Sequence, residues 1–166
     1  MSKKVFQILV DNSTGVLSRI SGLFSRRGYN IESITAGVTA DPRFTRITIV
    51  ASGDDDVLQQ IEKQVAKLVD VKDIKELAQD ASVYRELALV KVKTSNLKER
   101  DEVKSIVDFY KAKIIDVSYD SLIIELTGNS GKIDNFLDML RDFEILELAR
   151  TGIAGLCRGS EGVIYL

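Results

Sequence analysis

Asp11-Asn12-Ser13-Thr14-Gly15-Val16-Leu17 is the stretch from which the fold is read. Before it, Val5-Phe6-Gln7-Ile8-Leu9-Val10 has the pattern of a strand. After it, Val16, Ile20, Leu23 and Phe24 recur at three- and four-residue spacing, as one face of a helix over 15–27 does. Thr14 is the expected N-cap of that helix, and Gly28, in Gly28-Tyr29-Asn30, its left-handed terminator. A strand that passes through a short polar turn into a helix leaves backbone N–H groups without intrahelical partners. Those groups make a small anion pocket with no catalytic side chain in it, a feature of sensing rather than of chemistry. The plainer reading is a capped turn and nothing more.

Outward from this unit, Asn30 to Val38 and Phe44 to Ala51 read as strands joined by a turn at Asp41-Pro42. Asp54-Asp55-Asp56 opens a second helix with Leu58, Ile61, Val65 and Leu68 inward and Lys63 and Lys67 toward its end. Acid first and base last suits a helix dipole better than a metal loop. Val69 to Leu77 completes a β-α-β-β-α-β set. The same order then recurs: strand Tyr84 to Lys93, helix Glu99 to Tyr110, strands Ala112 to Ser118 and Leu122 to Thr127, helix Gly131 to Leu140, strand Phe143 to Ala149. The fold class is α+β, with two split-βαβ units, each an antiparallel sheet with helices on one face. Their boundary is expected near Gln79 to Ser82, giving domains over 1–79 and 80–166. Neither unit has a second apolar layer in the sequence, so oligomerisation would hide the bare sheet faces and edges.

The halves differ in functional signal. Asn12 and Gly15 stand in the first strand-to-helix turn, whereas Thr94-Ser95-Asn96-Leu97-Lys98 in the second has no glycine to permit close backbone approach. A ligand is therefore expected at the first turn. There the N–H groups of Gly15, Val16 and Leu17 could take a carboxylate, and Asn12 could shape the turn or add a polar contact.

Composition narrows the remaining classes. The chain has 166 residues, 45% of them hydrophobic, enough for folded cores. Lys and Arg total 23 against 25 Asp and Glu, a net charge of −2, which gives no general pull toward nucleic acid or anionic lipid. Histidine is absent, removing the side chain best suited to proton transfer at neutral pH and to imidazole metal ligation. An acid–base pair of Asp11 and Glu32 is weighed against simple solvent-facing charge, which is favoured. Cys157 is the single cysteine, so no intrachain disulfide and no cysteine-based zinc cluster form; it reads as a small buried or half-buried apolar residue rather than a reactive thiol. Gly152, Gly155, Gly159 and Gly162 lie at the C-terminal end, where they fit a tail or interface segment and not a dinucleotide fingerprint. Arg26 and Arg27, with Arg19 nearby, form the strongest basic cluster, either a partner contact or a solvated helix end. Phe44, Tyr29 and Arg46 hint at an RNA-binding sheet, but paired aromatics on the central strands are lacking. No apolar run is long enough to cross a bilayer, and Met1-Ser2-Lys3-Lys4 leads straight into a strand, so the expected location is the cytoplasm.

Three blocks carry a family resemblance: Gly15 through Ser33, Arg85-Glu86-Leu87-Ala88-Leu89-Val90-Lys91-Val92, and Arg150-Thr151-Gly152-Ile153-Ala154-Gly155-Leu156-Cys157-Arg158-Gly159. Together they resemble the small regulatory subunits of acetolactate synthase, also called acetohydroxyacid synthase. The resemblance implies an N-terminal, ferredoxin-like ACT domain for effector binding and dimerisation, and a second ACT-like domain with a tail. It implies a non-catalytic homodimer that activates a large catalytic subunit of isoleucine and valine biosynthesis and confers feedback inhibition by a branched-chain amino acid, usually valine. Thiamine diphosphate, Mg2+ and FAD are then expected in the catalytic partner and none in this chain. Carried over by the same resemblance, Asn12, Gly15, Val16 and Leu17 would line one side of the effector, with Asn30 and Ile31 of a partner chain on the other. Thr14 stands where the wider superfamily often has proline. A stand-alone amino-acid-sensing ACT protein acting on a different target is the competing reading.

Overall fold

Alternation along the first strand places Phe6, Ile8 and Val10 on one face of a sheet and Val5, Gln7 and Leu9 on the other. The computed structural model describes residues 2–160. Its elements are β1 (Ser2–Asp11), α1 (Val16–Arg26), β2 (Asn30–Val38), β3 (Phe44–Gly53), α2 (Asp55–Val65) and β4 (Val71–Glu76). They are followed by β5 (Ser82–Lys93), α3 (Leu97–Tyr110), β6 (Lys113–Val117), β7 (Ser121–Gly128), α4 (Ser130–Met139), β8 (Ile145–Arg150) and β9 (Ala154–Cys157). The chain divides into two compact units, one built from residues up to Tyr84 together with the chain from Ile153, the other from Arg85–Gly152. No helix among the described residues is long and apolar enough to cross a membrane.

In the first unit the antiparallel order is β2-β3-β1-β4. Phe6, Ile8 and Val10, with Ile47, Ile49 and Ala51 of β3, pack against Val16, Ile20, Leu23 and Phe24 of α1 and Leu58, Ile61 and Val65 of α2. The second unit repeats the plan with β6-β7-β5-β8. Its core joins Val90, Val92, Ile124 and Leu126 to Val103 and Val107 of α3 and Ile133 and Phe136 of α4.

Two differences from expectation concern the tail. Residues Ile153 to Ser160 were expected to belong with the second half, but they return to the first unit, and the division falls after Tyr84 within β5 rather than near Gln79 to Ser82. The bare face of the first sheet was expected to lack an apolar cover from this chain. Instead Val5, Val50 and Leu77 are buried there with Tyr84, Ile153 and Cys157 packed on them. The physical reason is a thirteenth element that the sequence pattern did not announce, the short strand β9, which pairs with β5.

Helix ends explain the local geometry. At α1 the first cap is Gly15 in the left-handed region, φ 85°, with no side-chain cap, so Thr14 does not cap the helix as expected. The Gly15 carbonyl accepts the first intrahelical bond, from the Arg19 N–H at 3.0 Å. At the other end Gly28 is the expected left-handed terminator, φ 67°. Its N–H reaches Ser25 O and that of Tyr29 reaches Phe24 O, the paired bonds of a Schellman closure, with the Phe24 and Tyr29 rings edge to face at 5.6 Å. Helix α3 starts differently: Asn96 Oδ1 accepts from the Glu99 N–H at 2.9 Å, and Glu99 Oε2 accepts from the Ser95 N–H at 2.6 Å. A side chain thus occupies one of the open amides that Gly15 cannot cover.

Candidate functional site

The turn between β1 and α1 is fixed from both sides. Asn12 donates its N–H to Arg43 O at 2.7 Å and its Nδ2 to Pro42 O at 2.9 Å, while its Oδ1 accepts from Thr45 Oγ1 at 3.2 Å. Its side chain therefore shapes the turn by tying it to the loop between β2 and β3. That loop is itself held by Asp41, which accepts from Arg43 Nε and Nη2 and whose carboxyl is kept below the ordinary carboxylate range by those bonds. On the other side Asp11 donates its N–H to Asp70 O at 2.9 Å.

Arg19 completes the frame. Its Nε meets Asp70 Oδ2 at 2.6 Å and its Nη2 meets Asp70 Oδ1 at 3.0 Å, a two-point grip that fastens the first turn of α1 to the chain ahead of β4. The grip holds the Asp70 carboxyl below its ordinary range and raises the Arg19 guanidinium further. A Cβ built on Gly15 would stand 3.0 Å from Arg19 Nη1, so a side chain at that position crowds a guanidinium as well as straining the backbone. Sequence reading grouped Arg19 with Arg26 and Arg27 as a basic cluster and missed this role; its partner is remote in sequence, and an isolated aspartate gives no local signal.

Around this frame the expected residues occupy distinct positions. Gly15 is exposed and Leu17 is half exposed, whereas the Val16 side chain is buried in the core, leaving only its N–H for a ligand. Those amides belong to the first turn of α1, where the helix itself provides no acceptors. Asn30 and Ile31 are not brought to this end. Asn12 sits beside Thr45 and Asn30 beside Ser52, positions on β3 about 24 Å apart at about 3.4 Å per residue. Asn30 Nδ2 donates to Ser52 Oγ at 2.9 Å, and Ile31 packs partly against the core. Both lie on β2, one of the two edge strands of the sheet. Arg26 and Arg27 are exposed at the end of α1.

Other readings lose their basis. Asp11 pairs with Lys72 at 2.9 Å and Glu32 with Lys3 at 2.6 Å, at opposite ends of the sheet, so they form no acid–base couple. Tyr29 is buried and cannot offer a stacking face.

Comparison with known proteins gives matches along the chain. Residues 85–159 match the family described as the small subunit of acetolactate synthase, and residues 6–73 match the AHAS small subunit-like ACT domain. The chain is 49% identical over 156 residues to a protein named probable acetolactate synthase small subunit from Methanothermobacter thermautotrophicus, covering 94% of this chain and 93% of that one. It is 48% identical over 160 residues to the acetolactate synthase isozyme 3 small subunit of Escherichia coli, covering 96% and 98%. The crystal structure of the acetolactate synthase small subunit from Thermotoga maritima superposes with a TM-score of 0.88 at 38% identity, over 96% of this chain and 99% of that one.

Proposed function

This chain belongs to the family of acetolactate synthase small subunits, and on that premise we propose that it is a non-catalytic regulatory subunit that senses valine. In this reading it binds a large catalytic subunit, raises its activity and imposes feedback inhibition in branched-chain amino-acid biosynthesis. Thiamine diphosphate, Mg2+ and FAD belong to that catalytic partner.

The observation that carries the reading is the left-handed Gly15 at the head of α1, set in a turn immobilised by Asn12 and by the Arg19–Asp70 grip. Open amides held in a fixed array suit a carboxylate, because the donors are already oriented and lose little freedom on binding. The valine carboxylate meets the N–H groups of Gly15, Val16 and Leu17. Its ammonium needs acceptors, and Asn30, whose Nδ2 is engaged by Ser52, has Oδ1 for that role. Within one chain Asn30 is too far away. A two-fold pairing of β2 edges, antiparallel by symmetry, would bring the partner's end of the strand toward this turn, so the effector would lie between two copies. Exposed Ile34 and Val38 on β2 support an edge that is covered in a dimer.

Titration calorimetry of the full chain with valine, leucine and isoleucine tests this reading, with the oligomeric state measured at the same concentration. We expect saturable valine binding that is lost in Gly15→Asp, where a carboxylate opposes the ligand's own and a left-handed backbone must accept a side chain. Retained binding in a folded dimer of that variant would place the effector elsewhere. Co-purification with the catalytic subunit separates this function from that of a stand-alone sensor.

A further inference from the structure

The segment after β8 does more than end the chain. It leaves the second unit at Thr151, whose N–H donates to Leu87 O at 3.0 Å and whose Oγ1 accepts from the Leu87 N–H at 3.1 Å. It bends at Gly152, φ 82°, and re-enters the first unit, where the Arg158 N–H donates to Ala81 O at 2.8 Å. The outgoing strand β5 and the returning segment are therefore bonded to each other on both sides of the boundary.

The returning segment is also keyed to the strand that leads into the candidate turn. Gln7 is buried between Val5 and Leu9 on the outer face of β1, and its Nε2 donates to Gly155 O at 3.2 Å. A buried amide with one available acceptor sets the register of whatever covers it. A side chain at position 155 forces its neighbours to shift: a Cβ would stand 2.8 Å from Leu77 Cδ1 and 3.1 Å from Tyr84 Cδ1. Ile153 and Cys157, on either side, pack against Val5, Val50 and Leu77.

We propose that residues Ile153 to Arg158 are a coupling strap, whose seating on Gln7 of β1 is linked to the order of the turn that this strand delivers at Asp11–Gly15. Its link to an effector rests on the valine-sensing reading above. Ordering the turn tightens β1 and with it the strap; releasing the strap loosens the turn. Because such coupling is reciprocal, the factor by which valine favours the seated strap equals the factor by which seating favours valine.

Cys157, the single cysteine, reports the strap directly. The rate at which an aromatic disulfide reagent labels it is measured on the full chain with and without saturating valine, in the unaltered protein, in Gly155→Val and in Gln7→Glu. The first variant blocks seating by bulk; the second keeps the outline of Gln7 but sets an acceptor against an acceptor, and it serves if the first does not fold. We expect valine to slow labelling by about tenfold, and both variants to label rapidly and bind valine about tenfold more weakly. Equal labelling with and without valine, or a rapidly labelled variant with unaltered valine affinity, overturns the proposal. If the unaltered chain binds no valine, the effector reading fails separately, and hydrogen exchange decides the strap. Faster exchange at Val5 to Leu9 in Gly155→Val then supports its seating on β1, and unchanged exchange overturns it.

Discussion

Backbone torsions at single residues set several of the energies in this molecule. Gly28 closes α1 at φ 67° with nothing within 4 Å of a built Cβ, so Gly28→Ala isolates the conformational penalty from any clash. We expect a loss of about 1 kcal/mol, read as a lower urea midpoint at unchanged slope. Lys111 is the converse case, a non-glycine residue at φ 54° capping the end of α3. Lys111→Gly is expected to raise stability by about 1 kcal/mol in the same measurement. Charge is the other residue-scale determinant. Glu86 is buried and accepts from Arg150 Nε at 2.8 Å, Arg150 Nη2 at 2.9 Å and Ser130 Oγ at 3.0 Å. Arg150→Met removes two of these donors and leaves a buried carboxylate underpaired, costing about 3 kcal/mol in denaturant unfolding. The double variant Glu86→Leu/Arg150→Met should recover most of that loss, because it leaves no buried carboxylate without partners.

At the scale of elements, the first turn of α1 is held by an ion pair as much as by its own hydrogen bonds. The Asp70 carboxyl is lowered first by its hydrogen bond from Arg19, so the grip contributes fully above the ordinary carboxylate value, about 3.9, and is lost as the pH falls through the lower folded value. An acid titration followed by the Gly15 amide resonance should show a transition below that ordinary value, and Asp70→Asn should abolish it. Much of this level was legible beforehand. Periodic apolar residues announced the strands and helices, and the span Asn30 to Val38 needed no adjustment. Asn12 shapes the first turn, one of the two roles expected of it, and Gly15 stands in the left-handed conformation that glycine adopts at least cost. What stayed hidden depended on distance in sequence. The Arg19–Asp70 grip joins residues whose types say nothing of pairing, and Ala154-Gly155-Leu156-Cys157 is too short and too rich in small residues to display a strand's alternation. Thr14 was favoured as a cap by residue type, but the turn spends a glycine at that place and dispenses with a side chain.

For the molecule as a whole, a repeated architecture has been given unequal ends. The first unit opens its leading helix on bare amides, whereas Asn96 and Glu99 close the corresponding helix of the second. The order of assembly also follows from the route of the chain. Because the first unit is built from residues up to Tyr84 and again from Ile153, the ribosome starts it first and can complete it only after the whole of Arg85–Gly152 has been synthesised. A nascent chain halted within the second unit therefore presents an unfinished sheet face around Val5, Val50 and Leu77, a natural site for chaperone binding until the last segment emerges.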